Sequence, residues 1–208
     1  MKIYTISTKS YQPFVKNIES ELNKVENISF YCKYIPDLPR NYRHTAFKLK
    51  YIHDDIIKDE INNNDQILFV DCTTLFDSSM YQHFLDGIKN KLDIAITKEY
   101  NSDSKINIGA MVINCNKNVE LFFKKIIDII ENKSSWDQHV FQEQIRKSDL
   151  NWDFLDSSCS RVVSSRNDIN KINQLIENKS FISKFIRRDF SIESDKVYQS
   201  LLNNGRIE

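Results

Sequence analysis

Apolar and polar positions change period several times along the chain, and each change marks an element. Ile3 to Ser7 is a short β-rich run closed by the turn-like Ser7-Thr8-Lys9-Ser10. Phe14, Val15, Ile18, Leu22 and Val25 then recur on one side of a helix, because residues three and four apart stack on the same face. Ile28 to Cys32 reads as a second strand, and Pro36 and Pro39 mark an irregular connection, since proline gives a ladder no donor. From Thr45 to Asp59, the positions Phe47, Leu49, Tyr51, Ile52, Ile56 and Ile57 predict an amphipathic helix with Thr45 as its cap.

Gln66 to Asp71 is a continuous apolar run ending in a carboxylate, preceded by Asn62-Asn63-Asn64-Asp65, which is what a parallel strand buried on both faces requires. Asp93 to Thr97 and Ala110 to Ile113 are two further strands. Val119, Phe122, Phe123, Ile126, Ile127 and Ile130 form a helical stripe whose natural use is core packing. Trp136 to Ile145 predicts a helix, Trp152 to Leu155 a short strand, and Ile169 to Ile186 a C-terminal helical region. Strands alternating with helices imply an α/β sandwich with a mostly parallel central sheet flanked by helices. The expected organisation is one domain over residues 1–165, with a helical extension over 166–208 packed on it and a loosely held polar tail after Arg187.

Composition removes whole classes of function. The 208 residues suit one working unit, and 29 basic residues cancel 29 acidic ones, so nothing in the bulk charge calls for nucleic acid or an anionic membrane. Any phosphate binding must be local. Gly87, Gly109 and Gly205 are the only glycines, so neither a G-x-G-x-x-G turn nor a Walker loop can be written. Cys32, Cys72, Cys115 and Cys159 lie roughly forty residues apart without a C-x-x-C pair, and read as thiols of a reducing compartment. No stretch approaches the roughly 20 apolar residues of a membrane span, nor does the N-terminus show a signal-peptide core, so the expected location is the cytoplasm.

Ligands of open α/β sheets sit beyond the carboxyl ends of strands, which singles out Asp71 and the small polar residues Cys72, Thr73 and Thr74 after it. Three blocks then stand in order: Ile67-Leu68-Phe69-Val70-Asp71-Cys72-Thr73, Asn107-Ile108-Gly109-Ala110-Met111-Val112-Ile113-Asn114, and Trp136-Asp137-Gln138-His139-Val140-Phe141. In that order they resemble the nucleotide-sugar transferases of the GT-A glycosyltransferase fold, and in particular small transferases like glycosyltransferase family 8. The helix of Phe47-Lys48-Leu49-Lys50-Tyr51-Ile52 and the segment Trp152-Asp153-Phe154-Leu155 support the likeness, which spans about residues 1 to 156.

The resemblance implies a GT-A type, Rossmann-like sandwich that moves a hexose from a nucleotide diphosphate sugar, with a UDP-sugar donor and a glycan or glycoconjugate acceptor as partners and with retained anomeric configuration. It implies that Thr5, Ser7, Tyr11, Asp71, Cys72 and Thr73 bind the nucleotide, that Asn107, Gly109 and Asp137 shape the donor-sugar pocket, and that Gln138 with Asp137 forms the catalytic pair, Gln138 facing the anomeric carbon. Arg40, Arg43, Arg161, Arg166, Arg187 and Arg188 are candidate diphosphate contacts. The family's D-x-D pair is broken here, because Thr73 replaces the second carboxylate and no histidine follows His139. Asp71 is therefore expected to hold Mn²⁺ or Mg²⁺ weakly and only together with nucleotide, with Asp153, Asp156 or Cys159 as compensating ligands and no organic cofactor. Two alternatives stay open: a haloacid-dehalogenase-like phosphohydrolase with Asp71 as nucleophile, and a non-catalytic sugar-nucleotide-binding protein.

Overall fold

The computed structural model describes residues 1–36, 46–63, 65–88, 91–99, 102, 104–164 and 179–186. Strand β1 (Lys2–Thr8) leads through a 3-10 turn (Lys9–Tyr11) into α1 (Gln12–Leu22), and β2 (Ser29–Ile35) follows. Helix α2 (Phe47–Lys50) runs into a π-wound stretch (Tyr51–Ile57) and then α3 (Lys58–Glu60), so one rod carries the apolar stripe that the sequence predicts. Next come β3 (Gln66–Asp71), β4 (Thr74–Phe76), α4 (Tyr81–Gly87), β5 (Ile94–Lys98) and β6 (Ile106–Asn114). The chain continues through α5 (Lys117–Lys133), α6 (Asp137–Ile145), β7 (Trp152–Phe154), β8 (Ser160–Ser164) and β9 (Ile182–Ile186).

The central sheet has the order β2-β1-β3-β6-β5-β7, and β6 alone runs against its neighbours. Both faces are covered, and the strands show how. In β3, Ile67 and Phe69 pack with the α2–α3 rod, α5 and α6, whereas Leu68 and Val70 pack with α1, α4 and the small second sheet. Period-two alternation thus feeds two cores, and this is why the run reads as continuously apolar. All six stripe positions of α5 are buried, and Asn116 caps that helix by accepting the Val119 amide at 3.0 Å.

The second sheet, β4-β9-β8, corrects the reading of the C-terminal part. Ile182–Ile186 is a strand, where the sequence pattern predicts the end of a helix. The apolar residues from Ile169 to Ile176 keep helical spacing, but Asn178-Lys179-Ser180 interrupts them and Phe181-Ile182-Ser183-Lys184-Phe185-Ile186 is rich in aromatic and β-branched side chains. Residues 165–178 and 187–208, and with them most of the expected extension and the polar tail, lie outside the described residues, as does the expected cap Thr45. Strands β4 and β8 and helix α4 are additions the periodicity does not reveal. They are too short to establish a pattern.

Candidate functional site

Asp71 ends β3 at the carboxyl edge of the sheet, with β1 beside it in the register Ile6 to Asp71. Two lysines converge on its carboxylate. Lys48, one residue into α2, donates to Oδ1 at 3.2 Å, and Lys184 on β9 donates to Oδ2. Lys184 reaches this point because β9 pairs with β4 in the register Thr74 to Lys184, and Thr74 is only three residues beyond Asp71. Burial alone would raise the Asp71 pKa, but the two ammonium groups outweigh it and hold the carboxyl below its ordinary value.

Strand β6 supplies the floor. Its pairing with β5 slips between Ile96 and Thr97, whose partners are Met111 and Asn107, so Ile108, Gly109 and Ala110 bulge out of the ladder. The carbonyls freed by the bulge are used: Lys48 donates to the Ile108 oxygen at 3.3 Å, and the Thr97 hydroxyl to the Ala110 oxygen at 3.2 Å. Inside the bulge the Asn107 Oδ1 accepts from the Gly109 amide at 2.8 Å and from Lys184 at 3.2 Å. Gly109 makes room for the lysine, since a Cβ on it would meet Cδ, Cε and Nζ of Lys184 and the lysine stem would have to swing away.

From Asn107 the network passes to the first turn of α6. Asn107 Nδ2 donates to Glu99 Oε2 at 3.1 Å, and Gln138 Nε2 donates to the same oxygen at 3.0 Å. Asp137 is buried and accepts the Gln138 amide at 2.7 Å. Burial raises its pKa, opposed by the nearby charge of Lys48 and by that hydrogen bond. At this edge two cations, an amide, a carboxylate-held glutamine and a glycine floor meet.

No family model matches the sequence, and no curated protein does. Solved structures are informative. A glycosyltransferase involved in glycosylating the major capsid of PBCV-1 superposes with a TM-score of 0.66 at 10% identity, covering 97% of both chains. The galactosyltransferase LgtC, solved with donor and acceptor sugar analogues, gives 0.58 at 13% identity over 100% of this chain and 96% of its own. The glycosyltransferase GlyE of Streptococcus pneumoniae TIGR4 gives 0.60 at 12% identity over 100% of this chain and 64% of its own. This chain has the GT-A glycosyltransferase fold. A further LgtC structure, also with a TM-score of 0.58, is of an active-site mutant in which glutamine is replaced by glutamate.

On the GT-A frame, Asp71, Asn107, Gly109, Asp137 and Gln138 lie around one edge, although they come from three separate blocks of sequence. Ser7 hydrogen-bonds to the Cys72 thiol, which burial pushes up to about 12, so that sulfur stays protonated. Thr73 lies half-buried in the turn between β3 and β4. Thr5 is wholly enclosed between β2 and β3, and Tyr11 packs on Phe14 with ring centroids 6.1 Å apart. Arg161 donates to the Ser157 carbonyl at 2.7 Å, and the other five candidate arginines lie outside the described residues. Three participants escape sequence reasoning: Lys48, legible only as part of a helix, Lys184, and Glu99.

A divalent cation fits this edge poorly. Both Asp71 oxygens already accept from ammonium groups, and Thr73 offers a neutral hydroxyl. Among the described residues no group of three or more His, Cys, Asp or Glu side chains is placed to hold a metal ion. No helix among them is long and apolar enough to cross a membrane.

Proposed function

We propose that this chain is a glycosyltransferase that moves a hexose from a UDP-sugar to a hydroxyl of a glycan or glycoconjugate, with retention of configuration. The carrying observation is the continuous hydrogen-bonded path Asp71–Lys184–Asn107–Glu99–Gln138, which joins the end of β3 to the start of α6 across a glycine-floored bulge. In the transfer, the bond from the anomeric carbon to the diphosphate oxygen breaks and its electron pair stays on that oxygen. The acceptor oxygen forms the new bond, and its proton leaves with the released diphosphate or to solvent. Charge grows on the leaving group, and preorganised cations that shed their water early are the most effective stabilisers of it.

In this reading Lys48 and Lys184 face the diphosphate, Asn107 and Asp137 hold sugar hydroxyls over Gly109, and Gln138 lies at the anomeric carbon. Glu99 fixes the amide of Gln138 and so decides which of its ends is presented. The active-site glutamine of LgtC supports that role.

Incubation with a panel of nucleotide sugars tests this. The expected result is slow release of UDP from a UDP-sugar, with Gln138→Ala lowering turnover by about 10²-fold while sparing UDP affinity, because losing an interaction made chiefly in the transition state lowers kcat and kcat/KM together and leaves ground-state binding intact. Hydrolysis of phosphate esters with no UDP release would favour the phosphohydrolase, and tight binding without turnover a non-catalytic protein.

A further inference from the structure

We propose that the Lys184 ammonium is the built-in cation of this site, standing beside Asp71 where a divalent metal would have to sit, so that leaving-group charge is met by Lys184 and Lys48 with no metal. The role at the leaving group rests on the transferase reading above; occupation of the cation position does not.

Four independent features hold the ammonium there. It contacts two oxygens of the kind a hard cation would take, the Asp71 carboxylate and the Asn107 amide oxygen, the latter at 3.2 Å. Lys48 holds the remaining Asp71 oxygen, so a divalent metal at this carboxylate would lie against two ammonium groups that repel it. The backbone is shaped to the lysine stem, because Gly109 leaves open the space that Cδ, Cε and Nζ cross. The strand that delivers it is anchored: Phe181 packs against Phe76, Tyr81 and Phe84 at centroid distances of 5.0, 5.1 and 4.8 Å, and β9 is clasped between β4 and β8. Thr73, in place of a second carboxylate, is then complementary to a monovalent ammonium. Both ammonium groups meet the Asp71 carboxylate directly, and a phosphate would be recognised by charge-assisted donation from the same two lysines. The lysine gives up no proton in the transfer; it acts as a fixed charge.

The test is calorimetric titration of UDP into the wild-type chain, Lys184→Met and Lys184→Arg, first in EDTA and then with excess Mn²⁺, with thermal midpoints recorded to show that each variant folds. Wild type is expected to bind UDP equally in both conditions. Lys184→Met should lose about tenfold or more in EDTA, the loss of one charge-assisted phosphate contact, and regain part of it with Mn²⁺, while Lys184→Arg keeps most of the affinity. UDP binding by wild type that EDTA abolishes, or wild-type affinity in Lys184→Met, overturns the proposal. Should wild type bind no UDP in either condition, the transferase reading fails, and titration with Mn²⁺ alone still decides the cation position. Uptake by Lys184→Met but not by wild type supports it, and equal uptake by both overturns it.

Discussion

Asp71 and Asp137 face the same two lysines and yet shift in opposite directions, because their surroundings weight burial and charge differently. For Asp71 the ammonium contacts prevail, and for Asp137 burial does. The consequences for stability have opposite signs. A carboxyl held below its unfolded value contributes stability that is present above 3.8 and lost as pH falls through its folded pKa. A carboxyl raised above that value contributes stability that is fully present below 3.8 and lost as pH rises through its folded pKa. Asp137→Asn should therefore flatten the decline in urea midpoint on the alkaline side of 3.8, and Asp71→Asn the decline on the acid side. Variants whose midpoints track wild type at every pH would show that neither group carries the linkage.

At the scale of elements, β3 and the α5 stripe were plain in the sequence because each follows a single strong periodicity and is buried throughout. Strand β6 was half visible. Its second half, Ala110 to Ile113, reads as a strand, whereas the bulge at Ile108 to Ala110 shifts the face on which Met111 lies and hides the start at Ile106. Gly109 and Asn107 were legible as a pair through resemblance, and their physical reason, a lysine crossing the glycine, was not. Lys184 could not be found in advance, since its role arises from the pairing of β9 with β4, in which Lys184 meets Thr74, a tertiary contact with no local signature. If Phe181 fixes β9, then Phe181→Ala should destabilise the fold by about 3–5 kcal/mol and lower UDP affinity as well. Ile130→Ala on α5, remote from the site, should cost about 2–5 kcal/mol and leave UDP affinity unchanged. Chemical denaturation with parallel UDP titration separates the two, and equal affinity in both variants would detach β9 from the site.

For the molecule as a whole, a sheet covered on both faces leaves its carboxyl edge for polar groups, and the chain places there the linked set of Asp71, Lys48, Lys184, Asn107, Glu99 and Gln138. The GT-A fold fixes where that edge lies; the lysine pair, the bulge and Glu99 give it its chemistry. A crystal structure with an intact, non-hydrolysable UDP-sugar analogue addresses this most directly. The expected result is a diphosphate within hydrogen-bond reach of both Lys48 and Lys184, with the sugar over Gly109 between Asn107 and Gln138. A nucleotide bound elsewhere, or bound at this edge with its diphosphate turned away from both lysines, would contradict it.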